Sequence, residues 1–213
     1  MHSPIRGSGG LAALGFMVAD RSHVVDALRG NGFDIIDDHT AGLITGGPAA
    51  LVVGPDGVVV ELGDLPPDAT ESVRFAGVRI DCADLQASLR FYKSIGFDQV
   101  STDTGACHVG LPEDADSTRL CLTPDTRSAM PAEKMPNQQG LYRCALRVEN
   151  TPRAIAATAD SIAVRGPIWC PLPGTPIDGL HIAFMTDPDG VVIEYVERPL
   201  SFFGGSASER TQK

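Results

Sequence analysis

The stretch DPDGVVIEY, residues 187–195, decides the fold because it occurs in the chain a second time in slightly altered form. Its counterpart is GPDGVVVEL, residues 54–62, and the two match at six of nine positions. In both, P-D-G has the composition of a tight turn, and the apolar run after it has the composition of a strand. A repeat of this kind predicts a chain built from copies of one structural unit.

A second recurrence gives the length of the unit. Asp20, Asp84 and Asn150 each follow a short apolar strand and precede an amphipathic run, at intervals of about 65 residues. Asp or Asn at such a position can accept hydrogen bonds from the first N–H groups of a helix. Three short segments of strand character follow each predicted helix. The sequence therefore predicts an α+β fold made of three βαβββ modules.

Alternation along the strand before each helix predicts which face that helix covers, because neighbouring side chains in a strand point to opposite faces. In module three, Cys144 and Leu146 belong to the apolar face that should pack on the helix, while Arg143 and Arg147 point away. In module two, Arg79 points away in the same manner. The helix-free face is where we expect a ligand cup.

Composition limits the classes of partner. The formal charge is −10, with 27 acidic and 17 basic residues, which argues against nucleic acid and against an anionic membrane surface. The first ten residues lack an apolar stretch of signal-peptide type, and no apolar run is long enough for a membrane span. The five cysteines form no C-x-x-C pair. These features predict a cytoplasmic protein with a small-molecule substrate or ligand.

Two runs carry a family resemblance. The run DCADLQASLRFYKSIGF, residues 81–97, resembles the opening of a glyoxalase-like domain. The run LYRCALRVEN, residues 141–150, and the later HIAFMTDPDGVVIEYVE, residues 181–197, resemble the second module of glyoxalase I and its bleomycin-resistance relatives. The chain is therefore similar to the vicinal-oxygen-chelate superfamily, which also contains extradiol dioxygenases. The resemblance covers about residues 74–198 and implies a cup-shaped mixed sheet made from two modules.

Three modules do not divide evenly into two-module cups. We predict that residues 74–198 form the paired modules of the ligand cup and that residues 11–63 form a single, orphan module. Residues 1–10 and 199–213 are predicted to be flexible ends. Our hypothesis is that a four-module ancestor lost its first module. The orphan module would then pair with its twin in a homodimer.

The resemblance also implies where a metal would bind. Family members that use a metal place a His on the first strand and a carboxylate or Gln on the last strand of each paired module. We call these two positions the first-strand slot and the last-strand slot. They fall at Ala13 and Glu61 in module one, at Gly77 and Cys121 in module two, and at Arg143 and Glu194 in module three.

An arginine in a metal slot changes the electrostatics, because a guanidinium repels a divalent cation and pairs with a carboxylate. We therefore predict an ion pair between Arg143 and Glu194 and no cofactor. A divalent metal, if one binds, would use Glu194, with Cys121 the less suitable ligand. Arg143 either fills a collapsed cup or orients an anionic or carbonyl-bearing ligand, leaving Glu194 as a base.

The other candidate residues depend on predicted positions. His108 and His181 lie on predicted third strands, where either could act as acid or base, although a single strand His is more often structural. Trp169 lies in a proline-rich stretch that either forms the rim of the cup or is a surface loop. Glu194, His181 and His108 are the predicted catalytic residues, and the predicted ligand-binding residues are Arg143, Arg79, Tyr142, Trp169 and Cys121.

The residues leave three functions open. The first is a metal-independent enzyme that acts by acid and base chemistry on a small organic molecule, as an isomerase, cyclase, epimerase or lyase. The second is a binding protein that sequesters a small molecule, as bleomycin-resistance proteins do. The third is a metal-dependent glyoxalase or dioxygenase with atypical ligands. Phosphate-binding, dinucleotide and nucleophile-elbow motifs do not occur in the sequence.

Overall fold

The structure is a computed structural model, and it describes residues 10–54, 57–103, 105–112, 118–124, 141, 143–159, 162–175 and 178–198. The predicted flexible ends lie almost wholly outside these ranges, as does Tyr142. The described chain contains twelve strands and three helices in three βαβββ modules. The predicted α+β fold is confirmed. No helix among the described residues has both the length and the apolar character needed to cross a membrane.

Module one contains one helix and four strands. Asp20 precedes the helix and accepts a hydrogen bond from the backbone N–H of His23 at 2.9 Å, which confirms the predicted cap. Gly32, just after the helix, has φ of 82°, a conformation that favours glycine. The elements are β1 (Gly10–Val18), α1 (Arg21–Gly30), β2 (Asp34–Ala41), β3 (Pro48–Val53) and β4 (Val59–Asp64).

Module two repeats this order. Asp84 caps its helix by accepting from the backbone N–H groups of Gln86 and Ala87, both at 3.0 Å. The helix buries Phe91 and Tyr92, whose rings meet edge to face. The elements are β5 (Val73–Cys82), α2 (Leu85–Ser94), β6 (Asp98–Asp103), β7 (Ala106–Gly110) and β8 (Arg119–Pro124).

Module three has the shortest helix, with seven residues. Asn150 caps it by accepting from the backbone N–H of Arg153 at 2.8 Å. In the turn before the last strand, the carboxylate of Asp187 accepts from the backbone N–H of Val191 at 2.7 Å. The elements are β9 (Arg143–Val148), α3 (Thr151–Ala157), β10 (Arg165–Pro171), β11 (Gly179–Thr186) and β12 (Val192–Glu197).

The modules are joined differently from our prediction. Modules one and two share one eight-stranded sheet in the order β2-β3-β4-β1-β5-β8-β7-β6, and the antiparallel ladder between β1 and β5 connects them. Module three forms a separate four-stranded sheet in the order β10-β11-β12-β9. The sequence predicts instead that modules two and three share the sheet and that module one is the orphan. The prediction that two modules form one mixed sheet holds, but the orphan is module three.

The chain divides into two compact units that follow this topology. Unit 1 comprises residues 1–142 with 188–190, and unit 2 comprises residues 143–187 with 191–213. In unit 1, α1 covers one face of the sheet through a core of Val18, Val25, Ala50, Val52 and Leu62. In unit 2, Tyr195 reaches the helix side, where its hydroxyl lies 3.1 Å from that of Thr158. In each unit the face opposite the helices holds the predicted slots.

Candidate functional site

The helix-free face of unit 1 is filled by a loop of the same module. Residues 42–47, between β2 and β3, bring Ile44 onto this face, where it packs in a buried cluster with Ala13, Ala106 and Cys121. A Cβ atom added to Gly15 would lie only 2.4 Å from Cγ2 of Ile44, so the bare backbone of β1 makes room for the side chain. We call residues 42–47 the plug loop.

Glu61, on β4, anchors the plug loop. One of its carboxylate oxygens accepts from the backbone N–H groups of Ile44 at 2.9 Å and Thr45 at 2.8 Å and from the Thr45 hydroxyl at 2.9 Å. The other oxygen accepts from the backbone N–H of Leu43 at 3.1 Å. Glu61 is only 1% exposed. The carboxylate that stands in a predicted metal slot is therefore engaged in holding a loop.

Three of the predicted site residues lie in one row across unit 1. Arg79 on β5 is directly opposite Cys121 on β8, and Cys121 is directly opposite His108 on β7. Residues opposite one another in a sheet point to the same face, so all three belong to the helix-free face. The placement of Arg79 on this face, predicted from alternation, is confirmed.

Arg79 and Cys121 are held by neighbours that the sequence did not single out. Nε of Arg79 lies 3.0 Å from a carboxylate oxygen of Asp81, and the Thr123 hydroxyl donates to the same oxygen at 2.7 Å. The Cys121 thiol donates to the carbonyl of Leu43 in the plug loop at 3.2 Å. Burial, together with the nearby Glu61 carboxylate, raises the pKa of Cys121 to about 12. Cys121 is thus a neutral thiol at physiological pH.

The helix-free face of unit 2 carries a pair of charges. Nη1 of Arg143, on β9, lies 3.2 Å from Oε2 of Glu194, on β12, so the predicted ion pair is present. The Glu194 side chain is 11% exposed and that of Arg143 is 43% exposed. Glu194 is therefore largely enclosed, while its arginine partner extends to the surface.

Apolar side chains share the sheet face that holds this charge pair. Phe184 on β11 is directly opposite Glu194, and Ile182 is directly opposite Val196 on β12, so all belong to one face. Ile168 on β10, opposite Ile182, is 37% exposed. Unit 2 therefore presents a row of apolar side chains next to an arginine and a carboxylate.

His181 lies on the other face of unit 2, and its predicted grouping with Glu194 is wrong. It is three residues before Phe184 on β11, so alternation turns it toward the helix side. There its Nδ1 lies 3.5 Å from a carboxylate oxygen of Glu197. The Trp169 ring lies 5.1 Å from the His181 ring and is 52% exposed. Trp169 and His181 therefore form a surface pair away from Glu194.

Glu197 connects His181 to helix α3. Its carboxylate accepts from the backbone N–H of Thr151, the first helical residue, at 2.9 Å. This hydrogen bond, with a smaller contribution from His181, lowers the pKa of Glu197. A carboxylate that holds a helix N-terminus has a structural role, and no motif or spacing in the sequence marked Glu197 for it.

The slots do not fit a divalent metal. In unit 1, Ala13 and Gly77 have no side-chain atom that can bind a metal, and Cys121 is a protonated thiol. The Glu61 carboxylate already accepts four hydrogen bonds. In unit 2, a guanidinium stands in the first-strand slot beside Glu194. Across the described residues there is no cluster of three or more His, Cys, Asp or Glu side chains suited to a metal ion.

Two βαβββ modules joined at their first strands into one mixed sheet define the glyoxalase-like class of folds. The model of the glyoxalase/bleomycin resistance protein/dioxygenase superfamily matches residues 74–195, which is more than half of the chain. The chain belongs to this superfamily. A comparison with curated protein sequences finds no match.

Solved structures of a plant enzyme share this fold. Glyoxalase I from Zea mays is 21% identical with a TM-score of 0.63, over 88% of this chain and 67% of the other. A point mutant of the same maize enzyme is 21% identical with a TM-score of 0.64, over 88% of this chain and 68% of the mutant's chain. A bleomycin resistance determinant encoded on the transposon Tn5 is 15% identical with a TM-score of 0.41, over 57% of this chain and 95% of the determinant's chain. The resemblance to the maize enzyme extends over all three modules and concerns the fold alone.

Proposed function

We propose that the chain binds a small organic molecule on the helix-free face of unit 2, without a metal, and that Arg143 holds an anionic or carbonyl group of that molecule. The observation that carries the proposal is the pairing of Arg143 with Glu194 beside Phe184 and Ile182. Apolar walls with a few convergent polar groups are typical of small-molecule sites. Sequestration of the ligand, as in a binding protein, needs no more than these groups.

The guanidinium suits such a ligand for geometric reasons. It presents five N–H donors in one fixed plane, an arrangement that matches the oxygens of a carboxylate or carbonyl group. The carboxylate of Glu194 fixes the orientation of the arginine and offsets part of its charge. The same arrangement disfavours a divalent cation, which is why we propose that no cofactor is needed.

A second candidate function, a lyase or isomerase reaction, is favoured by the enclosure of Glu194. A carboxylate with an 11% exposed side chain beside apolar residues is suited to take a proton from a ligand held by Arg143. His181 lies on the other face, and His108 is in unit 1, so Glu194 would be the single acid or base from our predicted catalytic set. This chemistry requires the binding step first.

Two further properties belong to the proposal. The five cysteines are all free thiols, which is typical of a reducing compartment, and we propose a cytoplasmic location. We also propose that the chain forms a homodimer and has no nucleic-acid or membrane partner, in keeping with the net charge of −10. Expression with a fluorescent fusion and fractionation would test the location.

Binding is tested with naphthoate and its neutral analogue naphthamide. We expect naphthoate to bind, naphthamide to bind more weakly, and R143Q to weaken naphthoate binding about tenfold or more, as measured by isothermal titration. The matched control is R153Q, which removes an exposed arginine on helix α3. Equal naphthoate binding by R143Q and the unmodified protein would refute the proposed anchor. Stoichiometric iron, zinc, nickel or manganese in the purified protein would refute metal independence.

The chemistry at Glu194 needs a separate measurement. If Glu194 accepts a proton, an acidic hydrogen of a bound ligand should exchange with deuterium from solvent, and E194Q should abolish that exchange while Arg143 still binds the ligand. Return of a bound carboxylate ligand chemically unchanged and without exchange would leave sequestration as the function.

A further inference from the structure

Three side chains lie in one row on the helix side of unit 2. Trp169 on β10 is directly opposite His181 on β11. The ladder between β11 and β12 pairs Ile182 with Val196. One position further along, His181 falls next to Glu197, in agreement with the 3.5 Å between Nδ1 of the histidine and Oε1 of the glutamate. We call Trp169, His181 and Glu197 the aromatic corner.

A glycine provides the seat for the Trp169 ring. A Cβ atom added to Gly179, two residues before His181 on β11, would collide with the six-membered part of the indole, so the ring rests on bare backbone. Trp169 nevertheless remains 52% exposed. Its ring meets that of His181 at 62° with 5.1 Å between the centroids. The two rings are therefore walls of an open corner and not a closed stack.

Glu197 adds a negative charge to this corner. Its Oε2 accepts from the backbone N–H of Thr151, and that hydrogen bond lowers the pKa of the carboxyl group, so it is ionised at neutral pH. The other oxygen, Oε1, lies on the side of His181. The Glu197 side chain is partly exposed. One carboxylate oxygen thus holds the helix while the other belongs to the corner.

The corresponding corner of module one contains no ring. Counted from the P-D-G motif, Asp64 stands where module three has Glu197, and it forms an ion pair with Arg21. At the positions of the two rings, the strands of module one pair Ala41 with Pro48. The fold therefore does not require aromatic side chains here, and the two rings are a property of module three alone among these two modules.

We propose that the aromatic corner binds an organic cation with a methylated ammonium head, of which choline is the simplest probe. The face of an aromatic ring attracts a cation, and indole does so most strongly. A methylated ammonium has no N–H to donate, so it needs ring faces and a nearby negative charge more than hydrogen-bond acceptors. Trp169 and His181 supply the rings, and Glu197 supplies the charge.

The charges of the chain favour this class of ligand. A formal charge of −10 attracts cations in general. A bare metal ion would need several oxygen or nitrogen ligands, and the described residues hold no cluster of three or more such side chains. The corner also lies on the opposite face of the sheet from Arg143, so this inference goes beyond the anion site proposed above.

The site contains its own probe, because Trp169 is the single tryptophan of the chain. We expect choline, titrated into the millimolar range on the full chain, to change the tryptophan fluorescence to a saturating value. The matched ligand is the neutral carbon isostere of choline, a dimethylbutanol, which should bind about fivefold more weakly or less. Sodium chloride at the same concentration is the control for ionic strength. Equal binding of choline and its isostere, or no saturable change with choline, would overturn the proposal.

Substitutions separate the ring from the charge. W169L removes the ring and keeps an apolar side chain, whereas E197Q removes the charge and keeps an oxygen that can accept from Thr151. We expect each to raise the choline dissociation constant about fivefold in isothermal titration. W169F retains a ring and should give an intermediate value. A W169F variant that binds no better than W169L would overturn the role of the ring face.

The matched control for the charge is E71Q, which removes a partly exposed carboxylate of unit 1 that pairs with Arg74. It should bind choline as the unmodified protein does. Losses that are equal in E71Q and E197Q would show an effect of net charge and overturn the assignment to Glu197. Circular dichroism of each variant verifies that it is folded before titration.

Naphthoate distinguishes this site from the one at Arg143. We expect W169L to bind naphthoate normally and R143Q to bind choline normally, because the two side chains lie on opposite faces of the sheet. Loss of choline binding in R143Q would place the cation elsewhere and overturn the proposal. Failure of the unmodified protein to bind naphthoate, with the choline results as expected, would refute the proposed function and leave the aromatic corner as a binding site.

Discussion

The helix-free faces of units 1 and 2 correspond to each other, but different groups lie on them. Glu61 and Glu194 occupy the same position in their modules, on the last strand after the P-D-G motif. Glu61 is buried under the plug loop and accepts hydrogen bonds from three backbone N–H groups and a hydroxyl. Glu194 faces one guanidinium across 3.2 Å. The glutamate at this position of the motif is therefore a structural anchor in unit 1 and part of a candidate site in unit 2.

The largest expected difference between the units concerns these two carboxylates. Glu61→Gln removes the charge that holds three N–H donors and one hydroxyl in a buried place, so we expect a loss of about 2 kcal/mol in the free energy of unfolding. Glu194→Gln, the matched substitution, should cost less than about 1 kcal/mol because its partner is partly exposed. Urea denaturation of both variants measures the difference. Equal losses would show that the two carboxylates have the same role.

The plug loop itself is tested at Gly15. Gly15→Ala places a methyl group against Ile44 and should cost about 2 kcal/mol in the free energy of unfolding by forcing the loop outward. Gly47→Ala is the control, because a Cβ there meets no atom within 4 Å. Adding Ile44→Ala to Gly15→Ala should give less than the sum of the single losses, since both changes act on one contact. Additive losses would argue against the plug.

A smaller effect, confined to unit 2, is expected at Glu197. Its pKa is lowered by the Thr151 N–H, so its contribution is present above the unfolded value of about 4.5 and is lost as pH falls through the lower folded value. Glu197→Gln should cost about 1 kcal/mol in the free energy of unfolding near neutral pH and progressively less in acid. The control is Glu149→Gln, which changes an exposed carboxylate just before the Asn150 cap. Urea denaturation of the unmodified protein and of both variants, at neutral and at acidic pH, measures the two losses. A Glu197→Gln loss that stays the same in acid would contradict the prediction.

The smallest expected stability effect is at Arg143. Arg143→Gln removes a partly exposed ion pair and should change the free energy of unfolding by about 0.5 kcal/mol or less. Its effect on naphthoate binding is expected to be much larger. A stability loss as great as that of Glu61→Gln, with ligand binding unchanged, would make Arg143 a structural residue. Urea denaturation and titration on the same preparation would separate the two results.

Local features of the fold were predictable because they depend on local chemistry. The caps at Asp20, Asp84 and Asn150 could be recognised since a short acceptor side chain before an amphipathic run satisfies the first helical N–H groups. The Arg143–Glu194 pair followed from an arginine and a carboxylate assigned to neighbouring strands of one module. Each of these needs information from a single module.

The pairing of modules and the filling of the face were not predictable in this way. Every module begins with a similar strand, so periodicity does not specify whether β5 pairs with β1 or with β9. The plug loop depends on contacts between Ile44 and residues far along the chain, such as Ala106 and Cys121. The sequence did contain a signal for the true face of His181. His181 alternates with the apolar residues Ala183 and Met185, which lie on the helix side and not on the face of Glu194.

The pairing of β1 with β5 also affects the order in which the two sheets can form while the chain is being translated. All eight strands of the larger sheet lie before residue 125, whereas the strands of the smaller sheet begin at Arg143. Because chains leave the ribosome from the N-terminus, every partner strand of the first sheet is available while the third module is still being translated. The family match at residues 74–195 straddles this division, so the stretch that marks the family and the stretch that first completes a sheet are different parts of one chain.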